Sequence, residues 1–586
     1  MDIRKTLQEN VKKAVKNTLN LDFENIFIEH PENETFGDYS TNAAMLLAKE
    51  VHKTPMEIAH LLVDELQSFD INFSENALTY PTFEKIEEVK PGFINFYLSQ
   101  DWLKNCLGEI TQKKDNFGSL DLGKDKTIII EYSQPNPNKP MHIGHARNNF
   151  LGSSLSEIFS FAGYKVLRTN YMNDWGTHIC KSMLMYKKYG KNAEPDKKTD
   201  HFVGDFYQMY EKEIEKTPGL EEELSEMFRK MESEDSEVLG LWKKITGWAY
   251  KGWEDTYKDE NVSFDVWMYQ SNYRESGKEI VKLALEKGIA EKDETGAVIA
   301  RLEEKYGIPD KVMLRKDGTS VYVTQDTQLA KDSFEKYHFD KRLYVVDNRQ
   351  SDYFRQLFKI LDILGFSWAS KLYHVSYGVV SLPEGSMSSR TGVVLNADDV
   401  FAKIIESEGT EIQTSLKSVS AVDSTVRKVA LSAFRYGMLK VDPKQDVVFN
   451  INQVIKFEGN TGPYLLYTYA RACSVLEKAA FEVEKFSFEL EDFVVLGLNE
   501  KEKQVLRTLY KLQEIVTESV EKLSPHFVAN YLYDLAQKFN SFYAEVPVIG
   551  ANTKEEKEFR IALTKSTAQV VKNGLKLLGI EVVEKM

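Results

Sequence analysis

Residues Ser133–Arg147 read SQPNPNKPMHIGHAR, and the fold turns on how that stretch is placed. Before it runs KTIIIEY (Lys126–Tyr132), a short β-branched segment of the kind that forms a buried strand. After it runs NNFLGSSLSEIFSFAGY, in which Phe150, Leu151, Leu155, Ile158 and Phe159 recur at helical spacing. A proline-rich link that closes a strand and opens a helix belongs at the carboxyl edge of an open α/β sheet, where ligands bind. The helix N-terminus there offers free N–H groups and a positive dipole end, which suits phosphate. His142 and His145 stand three apart and share a face of the first turn. Gly144 between them removes a side chain where a flat ring packs closely, and Lys139 lies three residues upstream of His142. Two imidazoles, a cation and a helix N-terminus suit the triphosphate of ATP while charge builds on the attacked phosphorus. The alternatives are a zinc pair, for which no glutamate stands in the zincin arrangement, and ordinary surface histidines.

A chain of 586 residues holds about three or four domains. No run of about 18 apolar residues occurs, so no transmembrane helix is expected. The first residues, MDIRKTLQENVKKAVKNTLNL, lack an apolar leader core and read as an amphipathic helix. Three scattered cysteines (Cys106, Cys180, Cys473) fit a reducing compartment and provide no zinc framework. A net charge of −15 is unlike that of a nucleic-acid binder on average, although a local basic groove is compatible with it.

Residues 1–115 read as an α+β unit with helical patterns over Ile3–Leu19, Tyr39–Val51 and Pro55–Leu66 and strand-like FENIFIEH and GFINFYLS. Gly118–Asp125 nearly fits a P-loop but precedes its strand, so it is set aside. Residues 116–400 carry strand-like TIIIEY, KVLRTNY, VYVTQD, RLYVVD and YHVSYGVV separated by helical patterns, which predicts an α/β domain with a mostly parallel sheet. Its acid-rich stretch at about 188–259 reads as a helical insertion. Residues 401–586 read as a helix bundle. Its stripes, Leu466, Tyr469, Cys473, Leu476 and Ala480, and Leu532, Leu535, Phe539 and Phe542, are assigned to the core rather than to base stacking.

The tetrad His142–His145 resembles the HIGH motif of class I aminoacyl-tRNA synthetases, and EYSQPNPNKPMHIGHARNN (Glu131–Asn149) is similar to the arginyl-tRNA synthetase version. LRTNYMNDWGTH (Leu167–His178), FDVW (Phe264–Trp267), DGTSVYVTQD (Asp317–Asp326), GNTGPYLLYTYARACSV (Gly459–Val475) and the terminal NGLKLLGIEVVEKM extend the resemblance over nearly the whole chain. It implies a Rossmann-like catalytic domain between an N-terminal α+β domain and a C-terminal helical bundle that contact tRNA. It also implies an arginine–tRNA ligase, monomeric and cytoplasmic, that takes ATP with Mg²⁺, L-arginine and tRNA(Arg), with no tightly held protein metal, no DNA and no membrane.

Carried over residue by residue, the resemblance assigns arginine binding to Gln134, Pro135, Asn136, His145, Tyr322, Asp326 and Gln350, and ATP binding to His142, Gly144, His145 and Met387. The family usually has Ser at Gln134 and often Glu near Gln270. A carboxylate is the natural partner of a guanidinium, which agrees with the assignment of Asp326; a helix N-cap for TQLAKDSF is the alternative reading. The second class I motif, KMSKS, is represented by Ser386-Met387-Ser388-Ser389-Arg390, in which both lysines are serines. Met387, Ser388, Ser389 and Arg390 are expected to act on the pyrophosphate side together with Lys139, which the resemblance offers in place of the second lysine. Other class I synthetases, an inactive tRNA-binding paralogue and a small-molecule nucleotidylyltransferase are the competing functions.

Overall fold

A computed structural model describes residues 3–69, 71, 81–273, 276–316, 318, 321–383, 395–413, 419–479 and 496–586. Its centre is a five-stranded sheet: β1 (Thr127–Glu131), β2 (Lys165–Met172), β3 (Val266–Tyr269), β4 (Lys341–Asp347) and β5 (Leu372–Tyr377). The order is β5-β4-β1-β2-β3 and every pair is parallel. Ile128, Ile129 and Ile130 of β1 are all fully buried, because a parallel sheet is covered on both faces. The chain winds outward from β1 to β3 and then returns to β4. The topological switch point therefore lies between the carboxyl ends of β1 and β4.

Helix α1 (Ile143–Phe161) makes the β1–β2 crossover. The apolar spacing predicts one buried stripe, yet the helix is buried on nearly every side, Arg147, Asn148, Asn149, Ser153, Ser154 and Ser156 included. It lies between the sheet and the C-terminal helices Val419–Leu439, Leu512–Lys522 and Lys554–Leu577. Several of these polar side chains tie the helix to distant elements: Asn148 Nδ2 donates to Val345 O (2.8 Å), Asn149 Nδ2 to Glu260 Oε2 (2.6 Å) and Ser154 Oγ to Leu577 O (2.8 Å).

Four helices, Thr177–Tyr189, Thr199–Glu213, Leu220–Glu232 and Ser236–Asp259, stand between β2 and β3 around a core of their own. A small antiparallel sheet (Ala290–Lys292, Val298–Ala300, Lys311–Leu314) follows β3. Next comes α2 (Tyr322–Tyr337), where the strand-like reading of VYVTQD fails. The segment is β-branched, but Val321 is the only extended residue, and the hydroxyls of Thr324 and Thr327 turn back onto Met313 O (2.5 Å) and Val323 O (2.6 Å). Asp326 thus sits in the second helical turn and is neither a strand end nor an N-cap. Helix α3 (Ser351–Ile363) follows β4.

At the N-terminus, helices Ile3–Leu19, Ala43–Val51 and Pro55–Gln67 pack with strands Tyr39–Thr41, Phe83–Val89 and Phe93–Leu98. Tyr39–Thr41 is a strand rather than the start of the helix, and FENIFIEH contributes one bridging residue, Glu29, opposite Ser40. This unit meets the bundle through buried Glu514, whose carboxylate accepts from Tyr39 OH (2.5 Å) and pairs with His30 (2.8 Å) and Arg4 (3.3 Å). Leu532, Leu535, Phe539 and Phe542 form the core stripe of the bundle, all fully buried.

The tightest approach on α1 is at Gly152, where an added Cβ would lie 2.2 Å from the Tyr132 ring. Gly152→Ala is expected to destabilise the chain by about 1–3 kcal/mol through overpacking. A lowered urea midpoint at unchanged slope checks this.

Candidate active site

His142 is the N-cap of α1. Its Nδ1 accepts from Gly144 N–H (3.1 Å), and its own N–H donates to His145 Nδ1 (3.1 Å), so the two rings lie 3.9 Å apart. With both Nδ1 atoms accepting, the hydrogen-bond pattern assigns the ring protons to Nε2. Burial and the nearby Lys139 push His142 down to about 4, and burial together with His142 and Lys139 pushes His145 far below its usual range. At neutral pH both rings are therefore uncharged N–H donors. The positive charge of the turn comes from Lys139, whose ammonium makes no ion pair or hydrogen bond among the described residues and whose pKa burial lowers. The flat ring that closes on Gly144 is the His142 imidazole, which a Cβ there would approach to 3.0 Å.

The chain returns to this turn after residue 394. Ile143 N–H donates to Leu395 O (3.1 Å), Ala397 N–H to Met141 O (2.9 Å), and His142 bridges Asn396. Ser386, Met387, Ser388, Ser389 and Arg390 lie outside the described residues.

The link before α1 contains two consecutive non-glycine residues in the left-handed region, Ser133 (φ 76°) and Gln134 (φ 51°). Such residues cost about 1–2 kcal/mol each. Asn148 Oδ1 holds Ser133 N–H (2.6 Å) and Asn170 Oδ1 holds Gln134 N–H (3.0 Å). The turn delivers Gln134 to a cavity of about 750 Å³ at the carboxyl ends of β1, β2 and β4. Gln134, Tyr322, Asp326 and Gln350 meet there, from three separate stretches of sequence, Tyr322 and Asp326 both lying on α2. Pro135, Asn136 and His145 are not on its wall; Asn136 reaches it through Asn173, whose Nδ2 donates to Asn136 Oδ1 (2.7 Å). Gln270 is buried behind the wall, donating to Gln325 Oε1 (2.6 Å).

Most of the other wall residues carry no assignment from the sequence; among them Glu131, Tyr171 and Tyr353 act on the charge of Asp326. Glu131 carried a signal, a charge at the end of a buried apolar strand. It accepts from Arg342 (2.5 Å) and from Gln134 Nε2 (2.8 Å). Tyr353 donates to Asp326 Oδ2. The Tyr171 hydroxyl lies close enough to help hold the Asp326 charge, yet neither it nor Asp326 Oδ1 completes a well-formed hydrogen bond. Burial, with the negative charge of Glu131 adding to it, raises the Asp326 carboxyl to about 7. A buried carboxylate oxygen without a well-formed donor, on a residue that lines a cavity, is the natural seat of a guanidinium edge.

A family model described as "tRNA synthetases class I (R), catalytic domain" matches residues 107–451. The chain belongs to the arginyl-tRNA synthetase family. Models of the arginyl-tRNA synthetase N-terminal domain and of the DALR anticodon-binding domain match residues 3–98 and 465–586. Among curated arginyl-tRNA synthetases, the arginine–tRNA ligase of Parabacteroides distasonis is 41% identical over 84% of this chain and 86% of its own. That of Flavobacterium psychrophilum is 36% identical over 100% of both chains. The fold is that of the Thermus thermophilus arginyl-tRNA synthetase, with a TM-score of 0.82 over 100% of both chains at 23% identity. The class I Rossmann-like catalytic sheet, the N-terminal α+β domain and the helical C-terminal domain are those of this family.

Because burial raises the Asp326 carboxyl to about 7, a proton competes with any guanidinium for it. Arginine affinity is expected to be constant above pH 8 and to fall about tenfold per unit as pH drops below 7. Tyr353→Phe, by removing a hydrogen bond that favours the ionised form, shifts that midpoint upward. Calorimetric titration with arginine at pH 6, 7 and 8 checks both; equal affinities across that range would refute the protonation argument.

Proposed function

We propose that this chain is an arginine–tRNA ligase that activates L-arginine with ATP and transfers it to the 3′ end of tRNA(Arg) in translation. The open Asp326 oxygen in a cavity at the switch point, with the uncharged His142–His145 turn as its neighbour along the link from β1, carries this reading. The guanidinium bonds Asp326 with Tyr322 and Gln350 around it, and Gln134 faces the amino-acid end, with Asn136 behind the wall as the partner of Asn173. A lysine or citrulline would leave this buried carboxylate badly paired, so discrimination exceeds that of an apolar pocket.

In the first step an arginine carboxylate oxygen bonds the α-phosphorus while the bond to the β-phosphate breaks, giving arginyl-adenylate and pyrophosphate. In the second a terminal ribose hydroxyl of the tRNA attacks the arginyl carbonyl and AMP leaves. The imidazole Nε2–H groups of His142 and His145 donate to phosphate oxygens without adding charge. Lys139 supplies the cation, with Met387, Ser388, Ser389 and Arg390 on the pyrophosphate side. The work is positioning and charge stabilisation, with no protein nucleophile.

ATP enters as its Mg²⁺ complex. The one group of three metal-capable side chains found among the described residues, Asp200, His201 and Asp398, is closed by Lys198 (2.7 Å from Asp398), which supports an ion carried on the phosphates. Residues 1–115 contact the outer corner of the tRNA, 116–400 form the catalytic domain and 401–586 contact stem and anticodon. An exposed patch on the bundle, Arg471 between the rings of Tyr467 and Tyr543 at 4.7 and 5.3 Å, supports a nucleotide-facing surface there. The enzyme acts as a cytoplasmic monomer; no helix among the described residues is long and apolar enough to cross a membrane.

Pyrophosphate exchange with each amino acid, with and without tRNA, tests the reading. Arginine-dependent exchange is expected; exchange with glutamate alone, or with none, refutes it. Lys139→Ala is expected to slow exchange by about 10² or more if its charge replaces the loop lysine. A near-parental rate would remove that role.

A further inference from the structure

Arg147 lies one half-turn past His145 on α1 and is fully buried; its hydrogen-bond partners are all carbonyl oxygens, and its guanidinium lies 5.8 Å from the centre of the Tyr377 ring. Nη1 donates to Gly378 O (2.6 Å) and Val379 O (3.5 Å); Nη2 donates to Pro443 O (3.2 Å) and Gln445 O (2.8 Å). These acceptors come from two segments far apart in sequence. The first leaves the end of β5; the second is the connector that follows helix Val419–Leu439 of the bundle.

The two segments are also fastened to each other. Gly378 N–H donates to Pro443 O (2.8 Å), Val379 N–H to Asp446 Oδ1 (2.8 Å), and Val380–Ser381 pairs in parallel with Val447–Val448. A Cβ at Gly378 would lie 2.5 Å from both Asp446 Oδ1 and Gln445 O, so only glycine permits the approach. A buried charge that meets no carboxylate adds little to stability. What a guanidinium adds here is a rigid fork of donors that spans two strands at once, which an ammonium on a flexible stem does not reproduce.

We propose that Arg147 is a positioning residue for arginine activation: its fork holds the bundle connector and the end of β5 at a set distance from the His142–His145 turn. The inference rests on the reading that the chain activates arginine. The arginine cavity lies at the ends of β1, β2 and β4 and shares no wall residue with the strap, so arginine affinity is independent of the fork.

The test compares Arg147→Lys with Asp446→Ala. Asp446 is exposed, so its replacement loosens the same strap without opening the core. In arginine-dependent pyrophosphate exchange at saturating tRNA, Arg147→Lys is expected to lower kcat about tenfold or more with the KM for arginine within about twofold of the parent. Asp446→Ala moves kcat in the same direction by less, at an unchanged melting temperature. If the parent exchanges and both variants keep its kcat, the proposal is overturned. A kcat loss confined to Arg147→Lys that comes with a matching fall in melting temperature and a raised arginine KM also overturns it, since that is the pattern of plain destabilisation. A parent without arginine-dependent exchange overturns the functional reading, and the role of Arg147 falls with it.

Discussion

A helix carrying Arg147, two asparagines and several serines that is buried on nearly every side needs partners for its polar groups, and several of those on α1 find them in distant elements. Its partners come from the whole molecule. Asn148 reaches β4, Asn149 reaches Glu260 at the end of the helical insertion, and Ser154 reaches Leu577 near the C-terminus. Arg435 of the bundle reaches back with Nη2 to Ser153 Oγ (2.6 Å). Sheet, insertion and bundle are therefore referenced to one helix, whose first turn carries His142 and His145. Losing one partner would strand its mate in the interior, which costs more than the bond itself contributes.

The same logic sets the charges. Reciprocal capping between His142 and His145 uses both Nδ1 atoms as acceptors, so the imidazoles stay neutral and present N–H. The turn thus presents neutral N–H groups beside the charge of Lys139 rather than a charged histidine pair that would itself need a counter-ion. In the arginine cavity the pattern is inverted. Glu131 is neutralised by Arg342, while Asp326 keeps one oxygen open. The two carboxylates differ in role because one has a buried cation and the other awaits one.

Two departures from the family pattern fall at this site. Gln134 stands where the family usually has Ser, and its amide is spent on Glu131 rather than left facing the cavity alone. With serines at positions 386 and 389, Lys139 is the one lysine of the Ser133–Arg147 stretch, and its charge acts on both His142 and His145.

Local pattern was enough for the strand, the proline link and the helix around Ser133–Arg147, because burial of β1 on both faces and the start of α1 are each written in adjacent residues. Family membership was legible too, since its motifs are short and contiguous. The order of the sheet, the meeting of Gln134, Tyr322, Asp326 and Gln350 in one cavity, and the exclusion of Gln270 from it depend on contacts between distant residues. The helix at 322–337 shows the limit: β-branched composition favours a strand, and hydroxyl bonds to Met313 and Val323 with burial of Val323 reverse it. Periodicity reports which residues are apolar, whereas α1 was buried by what packs around it. Several of its polar residues, Arg147, Asn148, Asn149 and Ser154, bond to distant elements, and only the tertiary structure decided which partners they meet.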